Sequence, residues 1–297
     1  MFRMPSDWPS ASLEPWSSWI PLHGASNHPQ APDLPGLYRI RRIDDGPRLA
    51  YVGQTGDSLR RRLGHLRGVY GPIMPYRDPH TVAPALWALR YQDGCDFEAS
   101  VAVAKGDTPW RKALEATLIT LYRLQAEESP YLSFGRMPAG YRNSTGNNKR
   151  LAESGQRAHG GPDPSALVSA SSVPVNGDPL TDPVSSNWMG WSWSEWNSLA
   201  GAGKSAIGVG VYRIRNEGVA SGLVYVGQGR IPARLSAHLR KSRSPDHRQA
   251  IYFSGKVEAS WIELPGIPMV NLLEHENDLI AAHLLATGTP PAAQFLG

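Results

Sequence analysis

Apolar runs and alternating residues in the first half of the chain predict a small mixed domain. Two β-type runs flank the turn residues Asp44-Asp45-Gly46, which favours a hairpin. The short polar residues Asp57 and Ser58 then offer N-caps for a basic helix. The pattern predicts strands over residues 36–43, 49–54 and 98–103 and helices over residues 57–69, 83–91 and from Thr108 onward.

The second half of the chain repeats this order of elements. Its pattern predicts strands over residues 209–216, 223–228 and 257–263 and helices over residues 231–241 and 270–285. Two small α+β domains are therefore expected, each with a three-stranded mixed or antiparallel sheet flanked by helices.

Short matching segments support the repeat. GLYRIR at Gly36 to Arg41 returns as GVYRIR at Gly210 to Arg215, and the segment YVGQ occurs at Tyr51 to Gln54 and again at Tyr225 to Gln228. A pair of tryptophans precedes each copy, and we expect each pair to pack against its own domain. These pairs are Trp16 with Trp19 and Trp193 with Trp196.

Composition suggests how the copies are joined. Residues 144–187 contain no aromatic residue and are rich in Ser, Pro, Gly and Asp, which predicts a flexible linker. The expected organisation is a first domain over residues 1–143, this linker, and a second domain over residues 188–297.

Charge and cysteine content narrow the setting. The net charge of +4 and the pI of about 9.2 suit a polyanionic partner. The single cysteine, Cys95, excludes an intramolecular disulfide and any cysteine-rich zinc site. No segment approaches the length of a membrane span, so a cytoplasmic protein with no membrane partner is expected. No required protein partner is evident.

Each copy carries polar residues that suit phosphodiester hydrolysis. This reaction needs an activated nucleophile, a cation to neutralise charge on the phosphoryl oxygens and a proton donor for the leaving oxygen. Each copy has two tyrosines on paired strands, an arginine and a histidine on one helix face, and a late glutamate. In chain order these residues are Tyr38, Tyr51, Arg61, His65 and Glu115 in the first copy and Tyr212, Tyr225, Arg234, His238 and Glu276 in the second.

The motifs Gly36-Leu37-Tyr38 with Tyr51-Val52-Gly53 and Gly210-Val211-Tyr212 with Tyr225-Val226-Gly227 resemble those of the GIY-YIG nuclease family. The resemblance covers nearly all of both halves outside the predicted linker. It implies that Tyr38 and Tyr212 activate or position water, and that Arg61 and Arg234 stabilise the phosphate. The second tyrosine and the histidine of each copy would support the phosphate or tune the first tyrosine.

The resemblance also implies a metal ion in each active domain. Glu115 and Glu276 would each be the ligand of one Mg²⁺ or Mn²⁺, and a single carboxylate with bound waters is enough for such an ion. Members of the family usually add an asparagine after the glutamate helix. Asn143 is the first copy's candidate, with Asn147 and Asn148 as rivals, whereas the second copy offers only Gln294 near that position.

The function implied is a metal-dependent endonuclease that hydrolyses phosphodiester bonds of double-stranded DNA. Two sites in one chain suggest a single-chain pseudo-dimer that cuts both strands, in restriction or defence. The alternatives are a repair nuclease, a nuclease for RNA or single strands, or a nucleic-acid-binding protein with one or both sites inactive.

One further segment, Gly201-Ala202-Gly203-Lys204-Ser205, is similar to a phosphate-binding loop. The full motif needs a glycine where this chain has Ser198, and the segment precedes a strand. We therefore expect a turn here.

Overall fold

The structure, a computed structural model, describes residues 15–146, 148–219 and 222–296. Within these ranges the fold is α+β, with seven α-helices and antiparallel sheets. The strands are β1 (Ile20–Pro21), β2 (Gly36–Arg42), β3 (Leu49–Thr55), β4 (Phe97–Val103), β5 (Tyr141–Arg142), β6 (Gly161–Pro162), β7 (Asn197–Ser198), β8 (Val209–Asn216), β9 (Tyr225–Arg230) and β10 (Val257–Glu263). The helices are α1 (Leu59–Gly64), α2 (Ala83–Asp93), α3 (Thr108–Ala126), α4 (Lys149–Glu153), α5 (Leu199–Ser205), α6 (Ile231–Ser242) and α7 (Met269–Thr287).

The order of strands and helices predicted from the sequence is confirmed in both halves, with two differences. Helix α1 is shorter than predicted and is followed by a separate 3₁₀ turn over Arg67–Tyr70. The predicted turn at residues 201–205 is wrong, because these residues form the later part of α5. The Ser198 hydroxyl accepts a hydrogen bond from the Gly201 N–H and so caps this helix.

Each half contains a sheet with the same strand order. The first sheet runs β1-β4-β2-β3 and the second runs β7-β10-β8-β9, with every neighbouring pair antiparallel. Each sheet has four strands instead of the predicted three, because a two-residue strand pairs with β4 or β10 on its outer edge. The first tyrosine of each motif lies on the inner strand β2 or β8, and the second lies on the edge strand β3 or β9.

The described chain divides into two compact units. The N-terminal unit contains residues 15–107 and 129–170, and the C-terminal unit contains residues 108–128 and 171–296. This division differs from the predicted boundaries after residues 143 and 187. Helix α3 is the last helix of the first copy in sequence but belongs to the C-terminal unit, because it packs against α7.

The described residues of the predicted flexible linker make defined contacts in one unit or the other. Thr145 and Ala158 exchange hydrogen bonds in the N-terminal unit, with a Thr145 N to Ala158 O distance of 2.9 Å. In the C-terminal unit, the backbone N–H of Ser172 donates to Glu274 at 2.7 Å, and that of Val175 donates to Asp278 at 3.0 Å. The composition of this segment predicted flexibility because its polar and small residues bury little apolar surface. The hydrogen-bond partners that hold its later part are distant in sequence and cannot be read from its composition.

The α3–α7 pair has a local pseudo-two-fold character. Both helices are 19 residues long, and Glu115 and Glu276 lie at the same position in each. The side-chain amide of Asn277 donates to the carbonyl oxygen of Ala116 at 2.9 Å, and these two residues also occupy equivalent positions. Since Arg123 contacts Glu274 further along α3, the two helices run antiparallel.

A fully buried ion-pair network joins these two helices. Arg123 lies 3.0 Å from Glu274 and 3.1 Å from Asp278, and all three side chains have 0% exposure. The Thr120 hydroxyl donates to Asp278 at 3.0 Å. Burial raises the pKa of Asp278, and the Arg123 cation opposes this shift. Removal of one partner would leave an uncompensated charge in the core.

The tryptophan pairs pack against their own sheets, as predicted. The guanidinium of Arg39 lies 4.6 Å from the ring centroid of Trp16 and 4.7 Å from that of Trp19. In the second copy Arg213 lies 4.3 Å from Trp193 and 4.7 Å from Trp196. Because side chains alternate along a strand, these arginines face away from the neighbouring motif tyrosines.

Candidate active site

The glycine of each YVG segment lets a tyrosine lie over the neighbouring strand. Tyr212 is opposite Gly227, and Tyr38 is opposite Gly53. A Cβ atom on either glycine would overlap the phenol ring that lies over it. Both tyrosines are fully buried. The position of each tyrosine therefore requires glycine on the adjacent strand.

The first glycine of each motif permits a close approach on the other side. A Cβ atom on Gly36 would overlap the carbonyl oxygen of Ala102 on β4, and one on Gly210 would overlap that of Ile262 on β10. Steric contact thus explains both glycines of the repeated motifs.

In the C-terminal unit, helix α6 brings two side chains to Tyr212. The Nε2 atom of His238 lies 2.8 Å from the Tyr212 hydroxyl oxygen, and Nε of Arg234 donates to the same oxygen at 3.4 Å. These residues share a helix face because they are four positions apart. His238 is buried beside Ile231 and Leu235 on α6, whereas Arg234 is exposed to solvent.

Tyr225 and Glu276 complete the C-terminal cluster. The Tyr225 ring lies 6.2 Å from the Tyr212 ring and 4.6 Å from the His238 ring, measured between centroids. Burial raises the pKa of both phenols, and the charge of Glu276 on α7 adds to this shift. Burial also raises the pKa of Glu276 to about 7, although the Arg234 cation opposes this shift. Tyr212, Tyr225, Arg234 and His238 thus lie together, and Glu276 acts electrostatically on the two phenols and on Arg234.

His238 is neutral in this cluster. Burial lowers its pKa to about 3, and the positive charges of Lys241 and Arg234 lower it further. The His238 Nδ1 atom has no hydrogen-bond partner in the part of the chain that the structure describes. A neutral imidazole can either accept the Tyr212 proton through Nε2 or donate to the phenol oxygen, depending on its tautomer.

The N-terminal unit builds the same arrangement around Tyr38 from different residues. Nε2 of His80 lies 2.8 Å from the Tyr38 hydroxyl oxygen, and Nε of Arg62 donates to that oxygen at 3.2 Å. The interplanar angle between the Tyr38 and His80 rings is 65°, against 62° for Tyr212 and His238. The Tyr51 ring lies 6.1 Å from the Tyr38 ring. His80 is buried, and this burial lowers its pKa well below the usual value.

Protein-family models, curated proteins and solved structures give no match to the chain.

The histidine and arginine that contact Tyr38 are not the His65 and Arg61 predicted for the first copy. Arg61 is exposed and pairs with Asp57, four residues earlier on the same helix. His65 is exposed at the end of α1, and it is Arg62 and His80 that contact Tyr38. Arg61 and His65 therefore lack the direct contact with the tyrosine that Arg234 and His238 make in the second copy, and their predicted roles at the phosphate stay predictions.

The buried apolar residues of α1 and α6 give an alignment of these two helices that differs from the one based on identical residues. Leu59 and Leu63 are buried on α1 as Ile231 and Leu235 are on α6. With these positions aligned, Arg62 corresponds to Arg234, and Leu66 takes the position of His238. The hydrophobic spacing was thus a usable signal for Arg62. No sequence pattern marked His80, which lies in the segment that only the first copy contains.

Glu115 lies half-buried on α3, at the position that corresponds to Glu276 on α7. The helix belongs to the C-terminal unit. The cluster contributed by the N-terminal unit itself consists of Tyr38, Tyr51, Arg62 and His80.

The two candidate amides have different environments. Asn143 is half-buried, and its Oδ1 atom is buried with no hydrogen-bond partner among the described residues. The side-chain oxygen of Gln294 accepts a hydrogen bond from the Val226 backbone N–H at 3.1 Å. Gln294 therefore satisfies a backbone donor of the edge strand β9, whereas the buried Oδ1 acceptor of Asn143 has no partner among the described residues. Asn147 lies outside the described residues, and Asn148 caps α4.

The described residues contain no cluster of three or more histidines, cysteines or acidic residues that could hold a metal. A site with one carboxylate and several waters remains compatible with this finding. The hydrogen bonds of the described residues include none to the half-buried Glu276 carboxylate, and burial raises its pKa to about 7. Such a carboxylate fits a hydrated divalent cation.

In the described ranges, no helix has the length and apolar character needed to cross a membrane.

Proposed function

We propose that this protein is a metal-dependent endonuclease that hydrolyses phosphodiester bonds of DNA, with the GIY-YIG nucleases as the family that it resembles. The recurrence of one side-chain arrangement in two units supports this proposal. In both units a buried tyrosine contacts a histidine and an arginine, although the two histidines come from non-equivalent positions. Packing alone gives no reason for a second, unrelated segment to supply the same contact.

The C-terminal cluster suggests a role for each side chain. The raised pKa of Tyr212 keeps its phenol protonated at neutral pH, so the phenol would orient the attacking water by hydrogen bonding. Neutral His238 holds the phenol at its Nε2 atom. The exposed Arg234 guanidinium would stabilise the charge that develops on the phosphoryl oxygens. Tyr225 packs against the rings of Tyr212 and His238.

Glu276 is the proposed ligand of Mg²⁺ or Mn²⁺ in the C-terminal site. The bound cation would neutralise negative charge on the phosphoryl oxygens. The Glu276 carboxylate binds a cation only in its ionised form, which is favoured above a pH of about 7. In the N-terminal unit the corresponding tyrosine, arginine and histidine are Tyr38, Arg62 and His80. Glu115 stays the metal ligand that the resemblance implies for the first copy, and Asn143 stays its candidate amide.

Two such sites in one chain support the hypothesis that each acts on one strand of duplex DNA. The test is cleavage of supercoiled plasmid by wild type, Glu115→Ala, Glu276→Ala and the double variant, each with Mg²⁺, Mn²⁺ or EDTA. We expect metal-dependent double-strand cutting by wild type, nicking by each single variant and no cutting by the double variant.

The exposed Glu195 provides a matched control, since Glu195→Ala removes a carboxylate that is assigned to neither cluster. Its activity should equal that of wild type. If wild type leaves the plasmid intact with both metals, the proposed function is wrong. If wild type only nicks the plasmid and Glu276→Ala has no effect, the two-site hypothesis is wrong.

A further inference from the structure

An exposed aromatic and basic cluster lies in the N-terminal unit, outside the residues that contact Tyr38. The Arg157 guanidinium lies 3.9 Å from the centroid of the Tyr76 ring, and the His159 ring stacks on Tyr76 at 4.1 Å. The His159 Nδ1 atom lies 2.8 Å from the carbonyl oxygen of Met74. Arg157 and His159 are exposed, and Tyr76 is half-buried.

Backbone hydrogen bonds hold this cluster in place. The Arg77 N–H donates to the Thr145 carbonyl at 3.3 Å, and the Thr145 N–H donates to the Ala158 carbonyl at 2.9 Å. Residues 75–77, 144–146 and 157–159 therefore lie side by side. Arg77 and Arg157 lie on the two segments that pair with residues 144–146, and Lys149 and Arg150 begin α4 within the connection between the last two segments.

Positive charge is concentrated in this part of the chain. Residues 141–160 contain four arginines and lysines but only one acidic residue, whereas the whole chain has a net charge of +4. Arg77, Arg150 and Arg157 are exposed and have no ion pair with a carboxylate among the described residues. Arg42 and Arg215, in contrast, pair with acidic side chains at 2.6 Å and 2.7 Å.

A group of exposed cations without acidic partners is suited to a polyanion, because its mutual repulsion is relieved when phosphates bind. The contact with Tyr76 restricts the Arg157 guanidinium, which reduces the entropy lost on binding. Arginine also matches the geometry of phosphate oxygens. An isolated solvated lysine would have none of these features.

We propose that Arg77, Arg142, Arg150, Arg157 and His159, supported by Tyr76, form a surface that binds the phosphate backbone of duplex DNA. We call these residues the basic face. The choice of DNA as ligand rests on the proposed function, while the binding itself requires no cleavage. The basic face holds the substrate by charge and carries no base recognition of its own.

The test is binding of a short fluorescently labelled DNA duplex to the full chain in EDTA, followed by anisotropy across a salt series. The double variant Arg150→Ala/Arg157→Ala should weaken binding by about tenfold or more at low salt. It should also lower the slope of log K against log salt by about 2, because two phosphate contacts are lost. Tyr76→Ala should weaken binding by several-fold with little change in slope.

The matched control is Arg67→Ala/Lys105→Ala, which removes two exposed cations of the same unit outside the basic face. This control should bind within about twofold of wild type with a slope lowered by less than about one. Equal losses in both double variants would overturn the proposal, as would wild-type binding to duplex RNA but not to duplex DNA.

The same variants separate this inference from the proposed endonuclease. DNA binding that depends on the basic face, without cleavage in Mg²⁺ or Mn²⁺, would support the surface and reject the nuclease. Cleavage by wild type together with unchanged binding by Arg150→Ala/Arg157→Ala would reject the surface and keep the nuclease.

Discussion

The Nε2 atom of His80 lies 2.8 Å from the hydroxyl oxygen of Tyr38, the same distance that separates His238 from Tyr212. His80 follows its tyrosine by 42 residues, whereas His238 follows its tyrosine by 26. The contact is thus conserved between the two units although the segment that provides it differs. A histidine thus contacts the first tyrosine in both units, even though the two histidines do not occupy equivalent positions in the repeat.

His80 should therefore matter for activity and His65 should not. In a Glu276→Ala background, where only the N-terminal site can act, His80→Ala should slow plasmid nicking by about 100-fold, because the Tyr38 phenol loses its partner. His65→Ala should leave the rate within about twofold. Nicking rates measure the effect, and near-ultraviolet circular dichroism checks that His80→Ala is folded. Equal rates for the two variants would contradict the assignment.

A second comparison uses neighbouring arginines on α1. Arg62 donates to the Tyr38 hydroxyl, whereas Arg61 pairs with Asp57 and is exposed. In the same background, Arg62→Ala should reduce the nicking rate by about 100-fold or more, since a charged donor near the phosphate is lost. Arg61→Ala should have little effect. A larger loss of nicking rate for Arg61→Ala than for Arg62→Ala would instead support the predicted alignment, in which Arg61 corresponds to Arg234.

The sequence was sufficient for the elements of this fold and for most of the C-terminal cluster. Strand and helix order follows from apolar spacing, and the five second-copy residues lie on elements whose register the spacing fixes. The first copy was harder because Arg61 and Arg62 are adjacent and identical, so letters alone could not choose between them.

Contacts between residues that are distant in sequence could not be predicted from the spacing of apolar residues. The position of His80 depends on how an unrepeated segment folds back to Tyr38. The assignment of α3 to the C-terminal unit depends on the buried partner of Arg123, which lies more than 150 residues further along the chain. Neither contact has a local pattern of its own.

The motif glycines should be sensitive to a single methyl group. A Cβ on Gly53 would overlap the Tyr38 ring, whereas a Cβ on Gly161 in β6 meets no atom within 4 Å. Gly53→Ala should lower the free energy of unfolding by about 1–3 kcal/mol, because the buried ring cannot move without strain. Gly161→Ala should change it far less. Urea denaturation measures both, and equal stability of the two variants would exclude steric overlap as the reason for the glycine.

The buried network between α3 and α7 predicts a large loss for one substitution and a smaller loss for three. Arg123→Leu should destabilise the protein by about 3–5 kcal/mol, because Glu274 and Asp278 keep their charges without a cation. The control is Arg123→Leu/Glu274→Ala/Asp278→Thr, which places at each position the residue found at the equivalent position of the other helix. The triple variant should be more stable than the single variant in urea denaturation. A triple variant less stable than Arg123→Leu would show that the charges themselves stabilise the pair.

Glu276 should make stability depend on pH in a defined direction. Its pKa of about 7 in the folded protein lies above the usual 4.5, so the folded state binds the proton more tightly than the unfolded state. Its stabilising contribution is present below the unfolded value and is lost as pH rises through about 7. Glu276→Gln cannot ionise, and its Tm relative to wild type should therefore increase between about pH 5 and pH 8.

His238 has the opposite effect at lower pH, because its pKa of about 3 is below the usual 6.5. The contribution of His238 is present above 6.5 and is lost as pH falls towards about 3, but it is common to wild type and variant. The Tm difference therefore isolates Glu276. At about pH 8 added Mg²⁺ should raise the Tm of wild type more than that of Glu276→Gln, because the cation binds the ionised carboxylate in the folded state. A difference in Tm that is constant with pH would mean that Glu276 ionises normally, and an equal response to Mg²⁺ would remove this residue as the metal ligand.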